Sequence, residues 1–583
     1  MDGAMNVKRW ATRLDTLAFG LLLVLALLFP FEFVKAPWRP FPWVAITNVE
    51  ILVALALAGW GAAVLVRRRV AFPHPLGWHV VGWLCVVVLA ALLAPAERVS
   101  ALKFALRTMQ AAMVGAAAYD LLHTPKRRYW LFGALATAGG VVALLGFAEA
   151  AQWGAVQAWL LNFKHAPTRI GEVVRVSSTL VYATVASMVL ELTACAALGM
   201  VFVGSRRWWR MGWGVAFLLM LVVQLLTLTR AGTLSMVAAL AWCWWWGWRW
   251  RWARARLAAV GGVAWLGGVF LLLVWLNPIL GLRLKGESDR VWYQAHYAAP
   301  PQATAEAGTL VHIPVRVWNK GVRAWHPQGE FAFALSYHLE DEDGAMLTYD
   351  GIRSPLPRLV APGEQVVVQA QVLAPPEAGR YRIEWDMVQE AVTWFSWKGA
   401  PTATTWLTVK PTPVSPDALP PQPPPSSAPD DVRLVVPAPG RLTLWRVAWR
   451  MVRAHPVLGV GPDNFRLVYG AYAGVAWWDV GIHANNFYIE WLADTGVVGF
   501  VVLVLMLTAL GRHVWRGLVA ATTDERGLLL AGSAALVAWC GHGVLDSFHE
   551  FWPTLIPVWL IVGATVRLAD TCGAQAVQDA HRI

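Results

Sequence analysis

Apolar runs recur along this chain of 583 residues, each near the roughly 20 residues that a helix needs to cross the hydrocarbon of a bilayer. The first, Leu17 to Phe33, carries one acid, Glu32, at its outer end. It lacks a small-residue cleavage site and further runs follow, so it reads as a span and not as a cleaved signal. Only 14% of the residues are charged and 57% are hydrophobic, against roughly 25% charge in an ordinary soluble domain. The spans fall near 15–33, 46–66, 76–94, 101–122, 130–152, 179–203, 209–228, 231–247, 257–280, 485–510, 527–546 and 554–567. That is about a dozen, at the length set by bilayer thickness.

The net charge of +12 would suit nucleic acid, but its placement argues otherwise. Basic residues cluster between alternate runs: Lys8, Arg9 and Arg13; Arg67 to Arg69; Lys126 to Arg128; Arg206, Arg207 and Arg210. Further clusters are Arg249, Arg251, Arg254 and Arg256, then Arg512, Arg516 and Arg526, then Arg567 and Arg582. This is the positive-inside pattern, which fixes orientation and places both termini on the cytoplasmic side. Trp244, Trp245, Trp246, Trp248, Trp250 and Trp252 fit an interfacial aromatic belt at one inner end. Of the five cysteines, Cys85, Cys195, Cys243 and Cys540 lie in apolar runs and Cys572 in the tail, so no disulfide framework or cysteine metal site follows.

The segments divide the chain into 1–282, holding the first nine spans, an extracytoplasmic connector at 283–304, and a strand-rich domain at 305–410. A Pro-rich linker at 411–439 leads to an outer amphipathic helix and loop at 440–482, the last three spans at 483–570, and a cytoplasmic tail at 571–583. By parity the polar stretch faces outward. Its strands are Leu310–Trp318, Phe331–Tyr337, Gln365–Val372, Tyr381–Asp386 and Thr404–Val409, with turns at Asp343-Gly344, Asp350-Gly351 and Pro362-Gly363. Short strands at that spacing predict a β-sandwich. Its Val317-Trp318-Asn319-Lys320-Gly321 and Pro375-Pro376-Glu377-Ala378-Gly379-Arg380-Tyr381 motifs resemble an immunoglobulin-like module. From Gly440 to Arg453, Leu442, Leu444, Trp445, Val447, Ala448 and Met451 form an apolar face opposite Arg446, Arg450 and Arg453, the pattern of a helix lying at the membrane boundary.

Soluble-enzyme motifs are missing: no phosphate-cradling loop, no paired His/Cys metal spacing, no Gly-x-Ser-x-Gly elbow. The acidic run Glu340-Asp341-Glu342-Asp343 precedes Gly344 between two strands and reads as a solvated turn. Chemistry concentrates instead at outer ends of spans. Arg230 sits between two spans, Arg175 heads the sixth and Arg441 opens the amphipathic helix. A basic residue there needs water or an anion, and guanidinium forks match phosphate oxygens, although snorkelling to headgroups explains many such residues. His483, Asn485 and Asn486 stand together where the chain re-enters the membrane, and asparagine is also a favoured helix cap.

His483-Ala484-Asn485-Asn486, followed by Leu492, Gly496 and Gly499, resembles the signature of the O-antigen ligase and polymerase superfamily. So do His455-Pro456-Val457-Leu458-Gly459-Val460-Gly461-Pro462-Asp463-Asn464-Phe465-Arg466, Gly440-Arg441, Trp445 and Thr229-Arg230. Many members read His-x-His-Asn where this chain has Asn485, which leaves His483 as the motif's base candidate. The resemblance implies an all-α, GT-C-like membrane glycosyltransferase with an inserted extracytoplasmic β-sandwich. It implies a glycan donor on a polyprenyl diphosphate (undecaprenyl diphosphate among them), no metal or other cofactor, and transfer on the outer face of the inner membrane. The acceptor is a lipid-linked saccharide, as in lipopolysaccharide assembly, or a second lipid-linked glycan if the chain is a polymerase. His483 would be the base, Arg230, Arg441 and Arg175 would hold the diphosphate, and Asn485 and Asn486 would orient substrate. A twelve-span transporter is the competing class, kept by Glu191 in the sixth span, although such an acid also serves as a hydrogen-bonded helix tie. A pure binding protein would need only one or two spans.

Overall fold

A computed structural model describes residues 2–580 except 36–37, 42–43, 72–75, 165–167, 171–172, 278–288, 330, 391, 412–438, 476–477 and 523–524. The expected Pro-rich linker and the start of the expected connector lie outside the described residues. The chain divides into two compact units: Met1–Thr168, Val174–Leu272 and Pro439–Ile583 in one, Arg169–Val173 and Leu273–Ala438 in the other.

The first unit is mostly helical. It contains α1 (Asp2–Leu28), α2 (Asn48–Arg67), α3 (Leu76–Leu92), α4 (Arg98–Leu121), α5 (Pro125–Ala150), α6 (Gly154–Leu160), α7 (Ala183–Val203), α8 (Arg207–Leu226), α9 (Arg230–Arg249) and α10 (Ala253–Leu276). After the second unit follow α11 (Arg441–Ala454), α12 (Phe465–Ala473), α13 (Phe487–Ala520), α14 (Arg526–His542) and α15 (Trp552–Ala580). Two short ribbons, β1–β2 (Trp38–Phe41, Val44–Ile46) and β3–β4 (Thr168–Ile170, Val173–Arg175), interrupt the helices. Each span expected from sequence coincides with a helix. Among the described residues, eight helices are long and apolar enough to cross a bilayer: α1, α2, α5, α7, α8, α10, α13 and α15. The protein is a polytopic membrane protein.

One interruption positions everything near the expected site. α13 is broken at Gly496, whose φ of 65° and ψ of −171° are open to glycine. The backbone of 455–461 is laid into that break: Val497 and Val498 donate to the carbonyls of Pro456 and Val457 at 2.8 and 3.2 Å. In return Val460 and Gly461 donate to Ala493 and Asp494 carbonyls at 3.0 and 2.9 Å. A Cβ on Gly496 would meet the Val457 carbonyl carbon at 2.4 Å. The amphipathic α11 packs Leu444, Val447, Ala448 and Met451 against Phe465 and Tyr469 of α12 and Ala493 of α13. Leu442, expected on that apolar face, is 66% exposed instead. The buried face therefore starts at Leu444, two residues later.

The tryptophan run is a packing device as much as a belt. Trp244 and Trp248 are exposed, but Trp246 is buried, and Trp245 and Trp246 both pack on Trp515 of α13, at centroid distances of 5.4 and 5.3 Å. Aromatic contacts of this kind add about 0.5–1.5 kcal/mol each beyond burial. Several basic residues of the orientation clusters also tie helices: Arg67 pairs with Asp15 and Asp120, Arg127 with Asp15, and Arg128 with Glu525.

The second unit holds two sheets. One runs β10 (Ser354–Pro355), β8 (Phe333–Glu340), β12 (Gly379–Gln389), β14 (Ala403–Lys410), β6 (Gln302–Glu306), with β9 (Met346–Thr348) and β13 (Thr393–Trp394) at its side. The other runs β11 (Gln365–Leu373), β7 (Leu310–Asn319), β5 (Ala295–Ala298). Strands β7 and β11 alternate buried and exposed residues, as a sheet with one covered face must. The Tyr297 hydroxyl of the small sheet accepts from the Met387 amide of the large one. The acidic run forms a turn: Asp341 accepts the amides of Asp343 and Ala345, and Glu340 pairs with Arg382.

Gly496→Ala should destabilise the protein by about 1–3 kcal/mol, the cost of a strained backbone position. Gly511 of the same helix has open space around its Cβ position, so Gly511→Ala should leave thermal unfolding in detergent nearly unchanged. Equal melting temperatures for the two variants would contradict the interlock.

Candidate active site

The site grows from the first turn of α13. Asn486 caps the helix, its side-chain oxygen accepting from the Ile489 amide at 2.9 Å while its amide donates to the Val544 carbonyl at 2.8 Å. Asn485 adopts φ 52°, a left-handed conformation that asparagine tolerates, and its amide donates to the His483 carbonyl at 3.3 Å. Both asparagines therefore shape the bend before α13. The Trp445 indole of α11 donates to the Ala484 carbonyl at 3.0 Å and fixes the bend from the other side.

One turn in, Glu490 is fully buried at the amino end of the helix, where the helix dipole favours an anion. Its Oε2 accepts from the Ala484 amide at 2.8 Å and the Ser547 hydroxyl at 2.7 Å, and its Oε1 faces His483 Nδ1 at 2.5 Å. The other ring nitrogen, Nε2, lies 2.8 Å from Glu550 Oε1. His483 is thus a bridge between two carboxylates. Burial would lower its pKa, but Glu490 and Glu550 together raise it well above the ordinary histidine value, so the ring is an imidazolium near neutral pH. Burial likewise pushes Glu550 up, and the His483 bond together with the charges of His483 and Arg466 brings it below the usual carboxylate value.

Arg466 comes from the first turn of α12. It forks onto Asp463 at 2.9 and 2.8 Å and reaches Glu550 Oε2 at 3.2 Å. Asp463 in turn is set by Asp494 of α13, whose two carboxylate oxygens accept the amides of Asp463 and Phe465 at 2.8 Å each. Burial is the main influence on Asp463 and leaves its pKa raised. The Asp494 anchor thus carries the order of the 455–465 loop into the charged cluster.

The expected arginines come from three elements, β4, α9 and α11. Arg175 donates to the Thr227 carbonyl at 3.1 Å and the Thr229 hydroxyl at 3.3 Å, on the turn leading directly into Arg230. Thr229 contacts the Ala183 carbonyl at the start of α7. The preceding residue, Tyr182, packs edge-on against Phe551, which follows Glu550. The arginine turn and the His483 cluster therefore meet through Tyr182. Arg441 is the exposed first residue of α11. Arg107 of α4 approaches from a third side, donating to the Glu550 carbonyl at 3.2 Å and pairing with Glu50 at 3.1 Å.

His549 is buried and ringed edge-on by Phe104, Phe487 and Trp491, with Nε2 3.9 Å from Glu490 Oε1. Burial lowers its pKa, so it is the neutral histidine of the pair. Two sets of groups bring ligand atoms within 4.8 Å of one another, Asp463, His483 and Glu550, and Glu490, Asp494 and His549. Among the described residues these are the places where a cation could be held, and their carboxylates already accept hydrogen bonds from the protein. Glu191 is tied within the helices, to Ser187 at 3.0 Å, Ser235 of α9 at 2.6 Å and His542 of α14 at 2.9 Å. That is the hydrogen-bonded helix tie weighed above against a proton path.

Glu490, Asp494, Asp463, Arg466, His549 and Glu550 were not singled out from sequence. The first four sit inside the quoted motifs. Glu550 lies 67 positions from His483, and nothing local signals it.

Nitrogen NMR of histidine-labelled protein should show His483 protonated at pH 7.5, and Glu490→Gln should move its titration down. A neutral ring at that pH would contradict the two-carboxylate bridge.

Residues 429–504 match the family model Wzy_C, described as O-Antigen ligase. No curated protein matches the chain. Among solved structures, Pseudomonas fluorescens alkylpurine DNA glycosylase AlkC bound to DNA containing an abasic site analog aligns at 8% identity and a TM-score of 0.15. That alignment covers 57% of this chain and 97% of the other, and at such a score it carries no argument. The matched segment holds α11, the 455–465 loop, α12, His483 and the break in α13, so over these residues the chain carries a segment that matches the O-antigen ligase family.

Proposed function

We propose that the protein transfers a glycan from a polyprenyl-diphosphate carrier to a hydroxyl of a lipid-linked saccharide, on the outer face of the inner membrane. The observation that carries this reading is the His483 bridge between Glu490 and Glu550, beside Arg466, inside the segment that matches the ligase family. The immunoglobulin-like unit is read as an insertion on the same, extracytoplasmic side.

Transfer forms a bond from the acceptor oxygen to the anomeric carbon and breaks the bond from that carbon to the diphosphate, which leaves with the electron pair. The acceptor proton needs a base and the diphosphate needs fixed positive charge. Arg175, Arg230 and Arg441 supply the charge in this reading, in place of a metal. Both nitrogens of His483 are engaged, so the proton goes to Glu550, and His483 holds that carboxylate in place as its charged partner. This shifts the accepting role from the histidine expected on sequence to the carboxylate it bridges. Asn485 and Asn486 act on substrate through the bend they fix.

Purified protein given a polyprenyl-diphosphate glycan and a lipid-linked acceptor should form a larger lipid-linked product. Glu550→Gln should lower its rate by about 10²–10⁴, the usual share of a general base. The active form is the carboxylate, whose pKa lies below the ordinary value near 4.3, so activity is present above that pKa and lost as pH falls through it. The rate should stay level through the ordinary histidine range near 6.5. An acid limb near 6.5 that vanishes in His483→Ala would return the base role to the histidine. For the diphosphate, Arg230→Lys should raise donor KM about tenfold or more, because a point charge does not reproduce the planar fork. An unchanged KM would remove Arg230 from the site.

A further inference from the structure

Two buried charges in the helical unit take no part in the proposed chemistry. Lys164, after α6, and Glu149, in the last turn of α5, are 2% and 1% exposed and pair with each other. Replacing a buried ion pair by apolar side chains of similar size is often neutral or stabilising, so packing alone does not explain it. What apolar side chains cannot do is bind backbone. Glu149 Oε2 accepts the amides of Ser177 and Ser178 at 3.2 and 2.7 Å. Lys164 occupies Oε1 of the same carboxylate and also donates to the Ser177 hydroxyl at 2.9 Å. The pair therefore grips two consecutive residues just after Arg175.

The gripped backbone is strained. Ser178 has φ 52° and Leu228 has φ 53°, left-handed conformations that side chains of their kind rarely adopt. Such positions persist only where the surrounding bonds over-determine them, and they gather where a geometry is put to use. These two stand three residues after Arg175 and two residues before Arg230. The two stretches are laced together. The Val176 amide donates to the Leu226 carbonyl at 3.1 Å, beside the bonds from Arg175 to Thr227 and Thr229. Ser178 is held a second time, its hydroxyl donating to the Val142 carbonyl of α5 at 2.8 Å.

We propose that the Lys164–Glu149 pair is a clamp that positions Arg175 and Arg230 as one site for the donor's diphosphate. The proposal rests on the reading of the protein as a lipid-diphosphate glycosyltransferase. Both residues of the clamp are positioning residues: they are buried and act through the backbone they hold. Without the clamp, Ser178 relaxes out of its left-handed conformation and Arg175 loses its register on the Thr227 carbonyl. The turn before Arg230 then loses the side chain that braces it. A displacement of about 1 Å at a binding group, caused far from the chemistry, can cost about 10²-fold.

The test makes Glu149→Gln and Lys164→Met together, which removes both charges and leaves neither orphaned. The full chain is assayed with the polyprenyl-diphosphate glycan, the lipid-linked acceptor, and the bare polyprenyl diphosphate as a competing ligand. The donor KM and the inhibition constant of the bare diphosphate should both rise about 10–100-fold, with the acceptor KM unchanged. Ser177→Ala, which removes only the hydroxyl that Lys164 reaches, should raise the same two constants by a smaller factor. Adding Ser178→Gly to the double variant should bring both constants back toward wild type, because glycine takes a left-handed φ without strain. A loss confined to kcat is what fewer folded molecules give, and it overturns the clamp. So does an equal rise in the donor and acceptor constants, or a triple variant no tighter than the double. Failure of wild type to turn over the donor overturns instead the glycosyltransferase reading on which the clamp rests.

Discussion

The buried carboxylate of Glu490 is the interaction on which the rest of the site depends. An acid at full burial is costly unless its charge is met, and here four partners meet it: the helix dipole of α13, the Ala484 amide, the Ser547 hydroxyl and the His483 ring. These partners come from three pieces of chain: α13 itself, the bend at His483-Ala484 and the segment after α14. One side chain thus fixes the bend before α13, the segment after α14 and the protonation of His483. Removing the histidine would leave Glu490 unpaired, a loss of several kcal/mol for a buried charge. Stability and chemistry are coupled at this residue.

The second constraint is geometric. A helix that ran unbroken through Gly496 would present no free backbone groups to the 455–461 loop. Breaking it exposes carbonyls and amides at membrane depth, where unsatisfied groups are tolerated only when protein covers them. The loop does cover them, and through Asp494 it delivers Asp463 and Arg466 to the cluster. Gly459 follows the same logic, with φ 70° and a Cβ position 2.4 Å from the Asp494 carbonyl. Gly459 and Gly496, both within the stretches that resemble the family signature, are contact points of one interlock.

Hydropathy made the helical framework legible because each span must be apolar on its own account, whatever its neighbours. Strands β7, β8, β11, β12 and β14 of the second unit were legible within a few residues for the same reason, since alternation is local. Strands β5 and β6, at the stretch read as a connector, were not. The site was legible in half. His483 and the Asn pair announced themselves as polar residues at a membrane boundary, and Arg175 and Arg230 as charges beside spans. Their partners did not. Glu490 looks like an ordinary first-turn acid and Asp494 like an ordinary acid two turns into the helix region until the ring and loop that face them are known. Glu550 follows α14 and is brought to His483 by tertiary packing alone. The tryptophan run misled by composition: Trp246 is as apolar as its neighbours, and only the position of Trp515 makes it core.

The central claim is that His483 and Glu550 act as one unit, held together by Glu490. A double-mutant cycle on kcat/KM measures this directly, using His483→Gln, Glu550→Gln and the pair. Groups that act as a unit are strongly non-additive. The account requires the double variant to be about as slow as the slower single one. A double variant whose loss equals the product of the two single losses would show that the residues act independently, and would contradict it.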